Sequence, residues 1–172
     1  MSTREQGGPG AAEVVIKRWD GLRIVGQRDF PGVAQSAGAA RRWVLGLLDG
    51  HPTATETLET LELLVSEVVT NAVLHSDSAG PGGLIAIRVG LGDGLIQVEV
   101  IDDGSATSVP AIRTTDDDSL SGRGLSWVDH LACAWGTDRD DEVGGVVWFR
   151  LAIGHPSGRD PLSSQWFRHR HE

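Results

Sequence analysis

The chain has 172 residues, 40% of them hydrophobic, a length that suits one domain with a substantial core. Its net charge of −9, without a run of Lys and Arg interleaved with aromatic residues, argues against nucleic acid or an anionic membrane as partner. The single cysteine, Cys133, excludes an internal disulfide and a four-cysteine zinc site. No secretory signal and no membrane-spanning apolar run is found, so we expect a cytoplasmic protein.

One predicted domain lies between two loosely structured ends. Residues 1–12 are rich in Gly, Ser and Pro, and we expect them to be disordered. Residues 154–172 contain two prolines and three histidines and predict a loose tail. A single domain is therefore expected over residues 13–153.

The domain is predicted to begin with a β-hairpin. Glu13–Trp19 and Leu22–Phe30 are both rich in β-branched residues, which favour strands. Between them lies Asp20-Gly21, a dipeptide typical of two-residue hairpin turns. We therefore expect two antiparallel strands here.

Two helices are predicted to follow the hairpin. After Pro31, apolar residues recur at helical spacing across Val33–Leu48. A second helix is expected to begin at Thr53 and continue to His75. Thr53 and Glu56 fit a capping box, in which the Thr hydroxyl accepts a hydrogen bond from the amide three residues on and the Glu side chain reaches back.

Within the second helix, Leu61–His75 combines an apolar face with a separate polar line. The polar line consists of Glu67, Asn71 and His75, each one turn after the last, between apolar neighbours that include Leu74. A carboxylate in such surroundings is costly unless it has a partner, a metal or a ligand, so the line predicts a site. A capped surface helix whose Glu and Asn happen to align fits this segment equally well. The apolar face consists of Leu61, Leu64, Val65, Val68, Val69 and Ala72.

The second half of the domain predicts a hairpin, a short helix and a last strand. Leu84–Leu91 alternates polar and apolar residues, and Leu95–Ile101 follows after a Gly-Asp-Gly turn. Leu125–Trp135 has apolar residues in helical phase and includes Cys133, which we expect to be a small core residue. An acidic turn then leads to an apolar strand, Gly144–Ile153. The pattern ββ-α-α-ββ-α-ββ predicts an α/β two-layer sandwich, with a mixed, largely antiparallel sheet and its helices on one face.

Two glycine-containing motifs accompany the polar line of the helix. Asp102-Asp103-Gly104 ends a predicted strand, where a carboxylate can point into a pocket and a glycine lets a ligand approach the backbone, although such a tripeptide is more often a turn. Gly122-Arg123-Gly124-Leu125 precedes a predicted helix, whose free amides and positive dipole end suit a phosphate. A Gly-rich start is common among helices, so neither motif is specific alone. The polar stretch between the two motifs predicts a lid.

The order of the three motifs resembles that of a known ATP-binding fold. ExxxN on a helix, DxG after a strand and GxGL before a helix are similar to the N, G1 and G2 boxes of the GHKL, or Bergerat-type, fold. The segments ELLVSEVVTNAVLH, VEVIDDG and GRGLSWVDHLACAWG resemble more closely the bacterial anti-sigma-factor serine/threonine protein kinase family, over residues 29–153. A histidine kinase fits less well, because no phospho-acceptor helical hairpin precedes the domain.

The resemblance implies a role for each motif residue. Asp102 would accept a hydrogen bond from the adenine amino group of ATP, and Gly104 would shape the adenine pocket. Asn71 would bind Mg²⁺ through its side-chain oxygen. Glu67 would take the proton from an incoming serine hydroxyl as a general base. The phosphate chain would be covered by Gly122, Arg123 and Gly124, with Leu125 completing the motif.

The resemblance implies an enzyme and leaves alternatives open. The leading hypothesis is a kinase that uses ATP and Mg²⁺ to phosphorylate an anti-anti-sigma antagonist, and that sequesters a sigma factor when free of it. The rival is a nucleotide-binding docking module without kinase activity, which gains support from Val146, aligned with a family Thr that helps to hold the base. An ATPase without a protein acceptor is disfavoured by the small size and the missing transducer domain. A homodimer is suggested only by analogy, because many members of the family that this chain resembles form dimers.

Overall fold

The structure is a computed structural model that describes residues 19–75, 82–103, 124–140 and 144–153. The predictions of a disordered N-terminus, a strand over residues 13–18, a lid and a C-terminal tail lie outside these residues. So do three of the predicted ligand-binding residues, namely Gly104, Gly122 and Arg123.

The described chain forms five strands and three helices. None of these helices is both long and apolar enough to cross a membrane. In chain order the elements are β1 (Arg23–Pro31), α1 (Gln35–Gly46), α2 (Thr55–His75), β2 (Leu84–Gly92), β3 (Leu95–Asp102), α3 (Gly124–Leu131), β4 (Ala134–Asp140) and β5 (Gly144–Ala152).

The strands form one sheet in the order β1-β2-β3-β5-β4, and every neighbouring pair described is antiparallel. All three helices contribute to a single apolar core against one face of this sheet. We call the face towards the helices the inner face and the opposite one the outer face. The predicted two-layer sandwich is confirmed, and the sheet is fully antiparallel over the described strands.

Side-chain alternation separates the two faces of the sheet. On β2, Ile85, Ile87 and Val89 are fully buried in the core, so the intervening Arg88 and Gly90 lie on the outer face. The edge strand β1 departs from regular pairing at Val25, where a bulge leaves two residues of β1 opposite one of β2. The alternation predicted for Leu84–Leu91 is therefore confirmed.

The central helix has the predicted apolar face but not the predicted cap. All six predicted apolar residues are buried. The helix begins at Thr55, and its first amide bond runs from Leu58 to the carbonyl of Ala54. This places Thr53 before the cap position, where its hydroxyl is buried without a hydrogen-bond partner among the described residues. The predicted capping box at Thr53 is therefore wrong.

The predicted helix over Leu125–Trp135 is wrong in its second half. Helix α3 ends at Leu131, and Trp135 lies in β4, paired with Phe149. The acidic turn that was predicted next also begins within β4. Trp135 packs against the core from the strand, so its apolar character fits a period of two as well as one of 3.6.

Cys133 lies between α3 and β4 rather than inside a helix. It is half-buried, and its thiol donates a hydrogen bond to the Arg150 carbonyl oxygen at 3.3 Å. Burial raises the pKa of this thiol above its ordinary value. Cys133 is thus only partly the small core residue expected from the sequence.

Candidate functional site

The polar line on α2 is half open to solvent. Glu67 and Asn71 are each half-buried, beside the buried Leu64 and Val68 on their core side. Leu74, predicted to shield the line, is 62% exposed, so the apolar wall is incomplete towards the C-terminal end of the helix. Across the described chain, no hydrogen bond or ion pair involves the Glu67 or Asn71 side chain. Both groups are therefore available to a ligand.

The opposite polar side of α2 is bound to α1. The guanidinium Nε of Arg41 lies 3.3 Å from Glu62 Oε1, and its Nη1 donates to Ser66 Oγ at 3.3 Å. Glu62 and Glu67 therefore differ in their ion pairing, although they lie on the same helix. Glu62 has a cationic partner on the neighbouring helix, whereas Glu67 has none among the described residues.

Asp102 lies at the end of β3, on the inner face and directly opposite Gly145 of β5. Its side chain is 8% exposed. A Cβ placed on Gly145 would lie 2.9 Å from Asp102 Oδ1, closer than side chains normally approach. Gly145 therefore leaves the space that the Asp102 carboxylate occupies. In the sequence, Gly145 could have been noticed as the second of two glycines at the beginning of an apolar strand. We did not predict a role for it.

The neighbouring Asp103 has a different environment. It is exposed, and its Oδ2 accepts a hydrogen bond from the Leu84 amide at 3.4 Å, at the beginning of β2. Of the two adjacent carboxylates, Asp102 is the buried one on the helix side of the sheet. The prediction that Asp102 binds a ligand therefore concerns the buried carboxylate of the pair.

The third motif reaches the described chain only at Gly124 and Leu125. Gly124 begins α3, and Leu125 is 5% exposed and packs in the core. Leu125 therefore anchors the start of the helix, which leaves its backbone rather than its side chain to meet a ligand. Helix α2 contacts α3, β3 and β5, so the elements that carry the three motifs pack against one another.

Val146, which we aligned with the family threonine, lies on the outer face of the sheet. It pairs with Ile101 and Asp138 on the outer face, away from Asp102. The inner-face neighbours of Asp102 on β5 are Gly145 and Val147, since successive strand residues point to opposite sides. Neither carries a hydroxyl, so no β5 side chain on the same face as Asp102 supplies one.

The described residues contain no group of three or more His, Cys, Asp or Glu placed to hold a metal ion. A magnesium ion at Asn71 would therefore need most of its oxygen ligands from a nucleotide and from water, as is usual for this ion in phosphate sites. A cavity of about 210 Å³ lies between the end of α1 and the beginning of α2. None of the predicted site residues lines it.

Comparisons with known proteins bear on both fold and site. Residues 30–151, which include Glu67, Asn71 and Asp102, match the family described as histidine kinase-like ATPase domain. The chain is 31% identical over 129 residues to the anti-sigma F factor of Geobacillus stearothermophilus, covering 72% of this chain and 88% of that protein.

Two further comparisons are more distant. The serine-protein kinase RsbW of Oceanobacillus iheyensis is 29% identical over 83 residues, which cover 48% of this chain and 52% of the kinase. The crystal structure of the RsbU and RsbW domains of a Mycobacterium tuberculosis protein matches 77% of this chain and 34% of that one. Its TM-score of 0.57 at 18% identity supports the fold alone.

Proposed function

The chain belongs to the histidine kinase-like ATPase domain family, and we propose that it is an ATP-dependent protein serine kinase of a partner-switching system. In this proposal it phosphorylates an anti-anti-sigma antagonist and, when free of that antagonist, sequesters a sigma factor in the cytoplasm. The names of its relatives, anti-sigma F factor and serine-protein kinase RsbW, support both halves of this activity. Membership of an ATPase family implies that the ligand is ATP.

The observation that carries the proposal is the pair Glu67 and Asn71. A half-buried carboxylate lies one helical turn before a half-buried amide, on the helix that packs against the strand ending in Asp102. A protein that only docks to its partner has no need of a carboxylate and an amide without protein partners in this place. A phosphotransferase needs both a group that accepts a proton and an oxygen ligand near the phosphates.

Each site residue has one part in the proposed reaction. Asp102 accepts a hydrogen bond from the adenine amino group, and Gly104 shapes the pocket around the base. A magnesium ion would supply positive charge against the phosphate oxygens, and the Asn71 side-chain oxygen would be its protein ligand. The phosphate chain is covered by Gly122, Arg123 and the backbone of Gly124 and Leu125.

Glu67 is the proposed general base. The proton of the acceptor serine hydroxyl moves to the Glu67 carboxylate as the serine oxygen bonds to the γ-phosphorus and the bond to the ADP oxygen breaks. Glu67 is half-buried, so it can meet a substrate at the surface and still be partly shielded from water. A general base of this kind typically contributes about 10²–10⁴-fold to the rate.

The proposal is tested with Glu67→Gln, which keeps size and hydrogen-bonding ability but cannot accept the proton. We expect transfer of labelled γ-phosphate to the antagonist to fall by about 10²–10⁴-fold, with ATP affinity nearly unchanged, because the base acts mainly in the transition state. The antagonist is recovered by pull-down from native cytosol with and without ATP and Mg²⁺.

Glu62→Gln is the matched control, since Glu62 lies on the same helix but is paired with Arg41. Its transfer rate should remain that of the wild type. Wild-type transfer by Glu67→Gln would remove Glu67 from the mechanism. If the wild type itself transfers no phosphate, a nucleotide-binding docking module becomes the better account. Val146 in place of the family threonine is the observation that favours this second candidate.

A further inference from the structure

Two leucines of α2 are not used by the core that the described residues form. Three other leucines on this helix, Leu58, Leu61 and Leu64, are buried in that core or pack against it. Leu63 is half-buried without belonging to either group, and Leu74 is 62% exposed. Packing of the described core therefore does not account for an apolar side chain at Leu63 or Leu74.

Both of these leucines lie on the same side of α2 as Glu67. A helix turns by about 100° and rises by about 1.5 Å per residue. Leu63, one turn before Glu67, therefore lies within about 40° of its direction and about 6 Å away along the axis. Leu74, two turns after Glu67, lies within about 20° and about 10 Å away. Single exposed leucines are common on protein surfaces, but these two bracket the proposed general base.

Glu67 is the only charged side chain between the two leucines on this side of α2. The other residues of the same strip are Thr70, which is exposed, and Asn71, which is half-buried. The ion pair with α1 lies on a different side of the helix, because Glu62 is rotated by about 140° from Glu67. This strip of α2 therefore offers one carboxylate among apolar and neutral polar groups.

We propose that Leu63 and Leu74 are docking contacts for the protein that presents its serine to Glu67, an inference that rests on the proposed function. The acceptor serine must reach the Glu67 carboxylate, so the acceptor protein must cover this side of α2. A standard interface buries about 800 Å² on each partner, which corresponds to a disc of about 16 Å radius. Both leucines lie well inside that distance from Glu67.

The acceptor that fits this surface has apolar side chains on both sides of its serine. Leu63 and Leu74 are separated by about 16 Å along the helix axis, so the apolar groups that meet them are spaced by a similar distance. An acidic residue close to the serine would be repelled by the Glu67 carboxylate. The surface therefore favours a serine with neutral, apolar surroundings over one in an acidic segment.

Steady-state phosphate transfer tests the docking role, and its substrate is the acceptor protein that becomes labelled in the Glu67 experiment. Leu74→Ser should raise the KM for this acceptor by about 10–100-fold, because most of the Leu74 side chain remains to be buried on docking. Leu63→Ser should raise it by about threefold to tenfold, since that side chain is already half-buried. In both variants kcat and ATP affinity should remain those of the wild type, because docking contacts are the same before and during transfer.

Two further variants serve as controls for the KM measurement. Leu74→Met keeps the apolar surface and should keep the KM within about twofold of the wild type. Ile24→Ser changes a residue that is 50% exposed on the outer face, away from α2, and should leave the KM unchanged. A melting curve for each variant separates an effect on docking from an effect on folding.

Each other result has its own meaning. If the wild type labels no acceptor, the proposed function is overturned and the docking role with it. If transfer occurs but neither Ser variant changes the KM, the docking role alone is overturned and the kinase remains. A KM raised equally by Leu74→Ser and Leu74→Met would also overturn the apolar contact. A lowered melting temperature in the Ser variants would assign the leucines to packing within the chain, and a lowered mass in light scattering would assign them to a second copy.

Photo-cross-linking gives a second readout that does not depend on turnover. In a Cys133→Ser background, a benzophenone label is attached to Leu74→Cys and the protein is mixed with the same acceptor and ADP, from which no phosphate is transferred. Illumination should join the two proteins. The same label on Ile24→Cys should join few or none. Equal yields from the two positions, or no product from Leu74→Cys, would overturn the docking role.

Discussion

The strand β3 carries one buried carboxylate on each face of the sheet, and the two differ in what surrounds them. Glu99, on the outer face, is fully buried in mid-strand, with Arg88 and Gln97 beside it. Asp102, on the inner face, ends the strand and faces Gly145, a position without a side chain. Burial of a carboxylate is therefore no sign of a binding site in itself. What distinguishes Asp102 is its position at a strand end, where a glycine on the neighbouring strand makes room for the carboxylate.

The largest difference between the two faces is expected in ADP affinity, on substitution of Asp102→Ala on the inner face. Loss of the carboxylate leaves the adenine amino donor unpaired in its pocket, which costs about 1–3 kcal/mol, or roughly 5–150-fold in ADP affinity. Asp103→Ala should have a small effect, because Asp103 is exposed and bound to the Leu84 amide. Calorimetric titration with ADP measures both. Equal losses would mean that the wrong aspartate or the wrong ligand has been chosen.

On the outer face the expected effect is on stability and not on nucleotide binding. Arg88→Met leaves Glu99 buried with a charge partner removed, which should lower the free energy of unfolding by about 1–3 kcal/mol. Arg42→Met, on the exposed side of α1, should change it by less than about 0.5 kcal/mol. Urea unfolding measures both, and ADP affinity should be unchanged in each. A stability loss no larger than that of the Arg42 variant would show that Glu99 is held by other groups.

A smaller effect on ADP affinity is expected from a substitution at Gly145, the inner-face position opposite Asp102. Gly145→Ala puts a Cβ 2.9 Å from Asp102 Oδ1, so the carboxylate must shift and ADP affinity should fall about tenfold. Gly38→Ala in α1, whose nearest neighbouring atom would lie at 3.6 Å, should leave ADP affinity as it is. Unchanged affinity in the Gly145 variant would show that the position of Asp102 does not matter for the base.

The smallest effect is expected from Asn71→Ala. Magnesium should strengthen ATP binding in the wild type, since a hard cation takes oxygen ligands and a side-chain amide supplies one without adding negative charge. The variant should lose a few-fold of this strengthening, because the phosphates and water supply the other ligands. Titrations with ATP in magnesium and in EDTA measure the difference. Insensitivity of the wild type to EDTA would contradict the metal role.

The inner face was largely predictable from the sequence, and the outer face was not. Periodicity gave the apolar face of α2 and the alternation of β2, because each depends only on which residues must avoid water. Nothing in the local pattern of β3 shows what covers the opposite side, so the full burial of Glu99 could not be predicted from the sequence. Cover of a sheet face depends on distant segments of the chain.

One error has a different origin, namely that a short apolar segment can fit both the helical period and the strand period. Trp135 is apolar in phase with α3 and also in phase with the core side of β4, so a helix and a strand both accommodate it. Val146 was aligned by its neighbours in sequence, but the register shows that only Gly145 and Val147 share a face with Asp102. A shift of one residue in a strand reverses the side of the sheet.

The bulge at Val25 has a consequence for how the molecule behaves at high concentration. Among the described strands β1 lies at the edge of the sheet, and unpaired backbone groups at such an edge are a template for intermolecular pairing and fibre formation. The bulge interrupts that template near one end of the strand, and Pro31 removes a donor at the other. Arg28 and Asp29 between them are exposed and charged. The edge of β1 is thus protected against self-association by its own sequence.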